Sequence, residues 1–280
     1  MLSYRHAFHA GNHADVLKHL VLIQIARYLG EKPAPFWIID THAGAGRYAL
    51  ESAYASKLAE YRDGIGRLWD ASGLPPAAAD YVDFVRRLNP DGQLRHYPGS
   101  PWLASQLLRD GDRLRLFELH RSDAGLLQEC FRGQRRVAVT AGDGLAGLKA
   151  ILPPPPRRAL TLIDPSYETR DDYARVVDGL RDALKRFPTG IYALWHPLLA
   201  KPEAQKLPAR LRSLGTADWL HATLRVGAPA RDGFGMSGSG MFIINPPWTL
   251  QKTLQDTLPA LTALLAQDDA AAFTLAGEAA

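Results

Sequence analysis

The chain has 280 residues, 46% hydrophobic and 22% charged, with a formal net charge of +4. That is ordinary for a soluble globular protein and leaves room for one large α/β domain or a domain plus an insertion. A single cysteine, Cys130, excludes an intramolecular disulfide and any cysteine-built metal or cluster site. The first residues lack the apolar core of a signal peptide, and no apolar run approaches the ~20 residues of a membrane helix, so a cytoplasmic protein with no membrane partner is expected. The positive charge is compatible with nucleic-acid binding without establishing it. Short basic clusters, such as Arg135-Arg136 and Arg157-Arg158, read first as solvated faces.

Residues 3–13 are polar and carry three histidines; with His19 they make four. Their spacing fits no zinc signature, and no metal is expected. Ala14 to Ala26 reads as a helix with a strong apolar face, stopped near Gly30. Pro35 to Gly46 then gives an apolar strand, an acid (Asp40) and a Gly44-Ala45-Gly46 turn. Glycines there let the backbone approach a ligand closely, as in the first loop of a Rossmann-like nucleotide fold. The third glycine of the dinucleotide fingerprint is missing. Asp40 suits a ligand with a cationic amino-acid end, such as S-adenosylmethionine, better than a pyrophosphate.

The interval from Asp40 to Glu118 far exceeds the ~30 residues of a strand–helix–strand unit. The excess holds two amphipathic stretches, 55–69 and 77–88, split by Gly73-Leu74-Pro75-Pro76. Residues 49–95 are therefore expected to be an inserted helical subdomain, with 1–48 and 96–280 forming the main domain. The crossover helix resumes at Ser100-Pro101, with Ser100 as the N-cap, a helix start that can also face a ligand carboxylate.

Arg113 to His120 runs into Glu118, the strand-end position that binds ribose hydroxyls. Arg136 to Gly144 brings up Asp143, placed to meet an adenine amine. Ala159 to Ile163 is a buried strand followed by Asp164-Pro165-Ser166-Tyr167. The Asp164 carboxylate and the Pro165 carbonyl can accept hydrogen bonds from an exocyclic amine, and Tyr167 can stack on the ring. Alone, each acid reads as a strand-end cap. Asp40, Glu118, Asp143 and Asp164 at the ends of four successive strands point to one ligand edge of a parallel sheet. A helix over 171–186, a strand over 190–197, a helix over 202–214 and a final strand pair near 221–226 and 240–245 follow. Asn245-Pro246-Pro247-Trp248 also resembles an amine-binding loop, but a last antiparallel strand would carry it to the wrong edge.

The N-terminal block from Met1 to His19, Asp40 to Tyr48, Tyr97 to Pro101 and Gly190 to Trp195 closely resemble the RlmJ family. These are bacterial S-adenosylmethionine-dependent methyltransferases acting on an adenine N6 of 23S ribosomal RNA. The resemblance runs nearly end to end. It implies a Rossmann-like class I methyltransferase with a small helical insertion after the first strand. By the same resemblance His19, His42, Ser100, Glu118, Asp143, Gly144 and Asp164 contact the cofactor, and Asp164 is also the catalytic acid–base residue. Lys18 lies beside that pocket and Tyr4 meets the RNA. Ser166 stands where the family usually has a second proline, which removes a rigid ring but leaves the acid, the carbonyl and the tyrosine. A monomer is expected. The rival readings are a DNA adenine-N6 or protein glutamine methyltransferase, a histidine–metal hydrolase, and a non-enzymatic RNA-binding protein.

Overall fold

Trp37-Ile38-Ile39-Asp40 forms the first strand, β1 (Trp37–Asp40), with every position after Trp37 buried. A run with no polar alternation needs cover on both faces, as a central parallel strand has. The computed structural model describes residues 6–51, 59–216, 218–229 and 235–278. In it β1 lies inside an eight-stranded sheet, parallel to β4 (Arg113–Glu118) on one side and β6 (Ala159–Ile163) on the other. β5 (Val137–Ala141) extends the sheet beyond β4, and β7 (Ile191–Pro197) extends it beyond β6, all parallel. β9 (Gly238–Ile244) then runs antiparallel to β7, followed by β8 (Trp219–Arg225) and β10 (Ala272–Glu278). The order is β10-β8-β9-β7-β6-β1-β4-β5. Chain order reverses between β4 and β6 on either side of β1, which opens a crevice at the carboxyl ends there. This is the Rossmann-like class I methyltransferase sheet. β2 (Arg47–Ala49) and β3 (His96–Pro98) pair separately as a short antiparallel ribbon.

Helix α1 (His13–Glu31) is capped by Asn12, whose side chain accepts from the Ala14 and Asp15 amides. It continues through Gly30 and stops where Lys32 turns extended ahead of Pro33. Val16, Leu17, Leu20, Val21, Leu22, Ile23 and Ile25 are wholly buried. Asp15, Lys18 and His19 are also buried, and their i, i+3, i+4 spacing puts them on one face. In the 49–95 interval lie α2 (Ile65–Trp69) and α3 (Pro76–Arg87). Tyr81, Val82, Phe84 and Val85 of α3 join the same apolar core as α1 and the sheet. Part of that interval, 52–58, lies outside the described residues.

The remaining helices are α4 (Ser100–Gln106), α5 (Arg121–Cys130), α6 (Gly144–Ile151), α7 (Arg170–Arg186), α8 (Pro202–Arg212) and α9 (Leu250–Leu265). The N-cap of α4 is Gly99. Ser100 is therefore inside the helix, not its cap as expected, and its hydroxyl is free to turn toward β1. Among the described residues no helix is long and apolar enough to cross a membrane.

Asn245 sits at the end of β9, and its Nδ2 donates to the Pro188 and Gly190 carbonyls, each at 2.7 Å. Those carbonyls precede β7, so this loop is at the edge away from Asp164, as the antiparallel direction requires. Asn245 also holds a left-handed φ of 53°. Asn245→Ala is expected to leave turnover within about twofold. It should lower unfolding free energy by about 1–3 kcal/mol in a denaturant titration, through two lost hydrogen bonds and a less tolerant side chain.

Candidate active site

The carboxyl ends of β1, β4, β5 and β6 open into a cleft of about 1100 Å³, counting its mouth. Lys18, His19, His42, Gly44, Ser100, Glu118, Asp143, Gly144 and Asp164 all line it. Tyr4 lies outside the described residues.

Each side chain has a structural reason for its position. Glu118 ends β4, and its two carboxylate oxygens each accept one backbone amide, from Gly44 and from His120, both at 2.7 Å. The remaining lone pairs leave room for a diol. Burial pushes its carboxyl up, and the two amide bonds offset part of that. Asp143 caps α6 by accepting from the Ala146 amide, and its other oxygen accepts from Arg175 at 2.6 Å. Gly44 has a φ of 61°, and a Cβ there would meet the Tyr48 hydroxyl at 2.3 Å. Gly144 needs its bareness for another reason: a Cβ would lie 2.2 Å from the Thr41 carbonyl oxygen.

His19 Nδ1 meets the Tyr97 hydroxyl at 2.7 Å, which in turn meets the Tyr81 hydroxyl at 2.9 Å. Burial lowers the His19 pKa to about 3, and lowers that of His42 to about 4. Both rings are neutral near pH 7, and six carboxylates on the walls of the cleft outnumber its two cations, Lys18 and Arg175, each already paired with one of them. That environment fits a cationic ligand.

Asp40 departs from expectation. It is 1% exposed and does not line the cleft. Its Oδ2 accepts from the Ser100 hydroxyl at 2.7 Å, and its Oδ1 accepts from the His42 amide at 3.1 Å. It holds the loop and Ser100 from behind. Burial raises its pKa to about 6, against the lowering effect of those two bonds. A raised carboxyl pKa means the folded state binds the proton more readily, so this group's contribution to stability falls as pH rises from about 4 to about 6. Asp40→Asn is therefore expected to raise unfolding free energy above pH 6 by about 1–3 kcal/mol, with the gain vanishing below about pH 4. Melting curves across that range check it.

Lys18 Nζ donates to Asp164 Oδ2 at 2.5 Å and lies 2.7 Å from Asp15 Oδ1. Burial alone would lower the Lys18 pKa, but the two carboxylates outweigh it and raise it. Lys18 is a fixed ammonium. Asp164, 16% exposed at its side chain, keeps its other oxygen for an incoming donor.

A second cavity, about 1250 Å³ with its mouth, lies on the far side of Asp164. The two cavities share His6, Lys18, Asp164 and Ser166. Tyr167 lines neither. Its ring is 4% exposed, packs 4.5 Å from Tyr173, and its hydroxyl donates to the Trp195 carbonyl at 3.0 Å. Stacking on a ligand ring would require it to leave those contacts. Its φ of 51° marks a strained turn at this loop. Among the described residues Trp195, on β7, does reach the second cavity. Asp15 is the second carboxylate at Lys18, and His6 in turn lies 3.0 Å from Asp15. Asp15 was legible as the residue one turn before Lys18 on the same helix face.

Parallel strands ending in acids, with a glycine loop at the switch point and a cleft at the carboxyl edge, are the arrangement of a class I methyltransferase fold. The family described as "RsmJ: Ribosomal RNA large subunit methyltransferase D, RlmJ" matches residues 33–275. The chain belongs to that family. It is 49% identical over 261 residues to "Ribosomal RNA large subunit methyltransferase J" of Escherichia coli K12, covering 93% of each chain. It is 46% identical over 276 residues to the protein of the same name from Haemophilus influenzae, covering 98% of each. The crystal structure of protein LPL1258 from Legionella pneumophila superposes with a TM-score of 0.89 at 33% identity, covering 97% of this chain and 99% of that one.

Proposed function

We propose that the protein methylates the N6 of an adenine in 23S ribosomal RNA, using S-adenosylmethionine. The observation that carries this is Asp164 at the wall between two cavities, with one carboxylate oxygen on Lys18 and the other left for a donor. Membership of the family and two relatives named as large-subunit ribosomal RNA methyltransferases support the substrate class.

When bound, S-adenosylmethionine supplies a methyl group activated by a sulfonium. The residues of the first cleft fit it: Glu118 takes the ribose hydroxyls, Asp143 and Gly144 border the adenine, and Ser100, His19, His42 and Gly44 surround the amino-acid end. Asp40 acts from behind by holding Ser100.

The acceptor base would enter by the second cavity with its amine toward Asp164, and the Pro165 carbonyl, on the side of the first cleft, would be its second acceptor. The amine lone pair is delocalised into the ring and is a poor nucleophile. Two acceptors on its hydrogens favour the pyramidal form and stabilise the positive charge that develops at nitrogen. Asp164 takes the proton that the amine releases. Holding nitrogen in line with the methyl supplies much of the remaining acceleration. The target must leave its stack to reach this depth. Trp195 offers a ring on the cavity wall, and Tyr167 keeps the Asp164–Ser166 turn in shape through the Trp195 carbonyl. By the family resemblance Tyr4 would meet the RNA, and basic residues of the 49–95 interval would grip phosphates and make affinity salt-sensitive. The protein works as a cytoplasmic monomer on RNA.

The test offers labelled S-adenosylmethionine with protein-free 23S ribosomal RNA, duplex DNA and a glutamine-containing peptide in parallel. Label in the RNA alone is expected. Label in DNA or peptide, with none in RNA, overturns the substrate class.

A further inference from the structure

The helix face that carries Lys18 carries a second acid, and amine binding by Asp164 gives it no task. Asp15 is 1% exposed. Its Oδ2 accepts from the Gly11 amide at 2.8 Å and lies 3.0 Å from His6 Nε2. Its Oδ1 lies 2.7 Å from Lys18 Nζ and 3.8 Å from His19 Nε2. Burial alone would raise the Asp15 carboxyl, but its neighbours, His6 and the Lys18 ammonium foremost, outweigh it and hold it well below the usual carboxylate range. One buried ammonium is thus shared by two carboxylates, Asp15 and Asp164.

One counter-ion would suffice if neither carboxylate changed charge. In methyl transfer one does. The amine nitrogen forms the new N–C bond, the donor's S–C bond breaks with its electron pair left on sulfur, and the amine's proton passes to Asp164. Lys18 keeps its three protons throughout. With Asp164 alone beside it, that proton transfer would leave Lys18, itself 5% exposed at the side chain, as a buried cation without a partner. Such a charge is costly, and the cost would fall on the reaction. Other neighbours are poor substitutes. His19 is neutral, and Asp40 has its two oxygens on Ser100 and the His42 amide.

We propose that Asp15 is a positioning residue for methyl transfer, a permanent counter-ion that holds the Lys18 ammonium against Asp164 while Asp164 changes charge. The proposal rests on the reading of Asp164 as the group that takes the amine's proton.

A purely architectural role, locking the Gly11 turn, makes a different prediction. Asparagine at 15 still accepts from the Gly11 amide but carries no charge. Single-turnover methyl transfer and S-adenosylmethionine binding are measured for Asp15→Asn, Lys18→Met and the double variant. Asp15→Asn is expected to slow transfer by roughly 30-fold with cofactor affinity within about threefold. Asp15→Glu, which keeps the charge, is expected to recover part of the loss. In the Lys18→Met background, with no buried ammonium to compensate, Asp15→Asn should leave the residual rate unchanged. That background also removes the reason for the asparagine variant to misfold. A wild-type rate for Asp15→Asn overturns the proposal. So does a further loss on adding it to Lys18→Met, or a loss that only tracks weakened cofactor binding. If instead Asp164→Ala retains the wild-type rate, the underlying reading of Asp164 fails, whatever Asp15 does.

Discussion

Replacing Asp164 by alanine is expected to lower single-turnover methyl transfer by at least about 10³-fold while changing S-adenosylmethionine affinity only a few-fold. The size follows from what the carboxylate does at once. It accepts a hydrogen bond from the amine, it faces the charge developing on nitrogen, and it receives the proton. Removal also leaves Lys18 with Asp15 as its remaining carboxylate partner, so an ammonium stays close to where positive charge develops. Attraction is replaced by repulsion beside a buried ammonium, where charges are screened less than in bulk water. In the proposed reading cofactor affinity rests mainly on Glu118, Asp143 and the glycine loops, which the substitution does not touch. A variant that loses cofactor binding in proportion to activity would place Asp164 in binding rather than chemistry.

The second large effect is expected at Gly144. Its Cα faces the backbone of Thr41, and an added Cβ would lie 2.2 Å from the Thr41 oxygen and 2.5 Å from its Cα. Thr41 cannot yield easily, because its amide and its hydroxyl both donate to the Leu162 carbonyl, each at 3.1 Å. The strain must move either the 41–44 loop or the start of α6, and both line the cofactor cleft. Gly144→Ala is expected to weaken S-adenosylmethionine binding by roughly 100-fold and to lower stability by about 1–3 kcal/mol. Gly142→Ala is the matched control. A Cβ at Gly142 meets nothing within 4 Å, so calorimetric titration should find its affinity near wild type. Equal losses at both glycines would mean that chain flexibility, not the Thr41 contact, sets the effect.

The ligand edge was legible because it follows from strand direction. Asp40, Glu118, Asp143 and Asp164 each end or follow an apolar run, and parallel pairing brings such ends together. What strand ends do not reveal is depth. Asp40 and Glu118 look alike in sequence, yet α4 packs over Asp40 and delivers Ser100 to it, while Glu118 stays open to the cleft. The motif around Tyr167 likewise suggests a stacking ring. Its side-chain direction depends on a left-handed turn and on the Trp195 carbonyl, a β7 atom remote in sequence.

Other features were less visible. β10 has exposed positions on both faces except Leu275, so no alternation announces it. The spacing of Leu250, Leu254, Leu258, Leu261 and Leu265 does announce α9, and all five are buried. The Asp15–Lys18 pair is helical spacing in plain view. Its meaning appears only when β6 brings Asp164 to the same ammonium.

In the proposed reaction an exocyclic adenine amine, held at Asp164, receives the methyl group. Nucleoside analysis of unmodified 23S ribosomal RNA after reaction with S-adenosylmethionine tests it most directly, wild type beside Asp164→Ala. The account predicts N6-methyladenosine from the wild-type protein and none from the variant. A methyl group on a ring nitrogen, a ring carbon or a ribose oxygen, or N6-methyladenosine formed equally by both proteins, would contradict it.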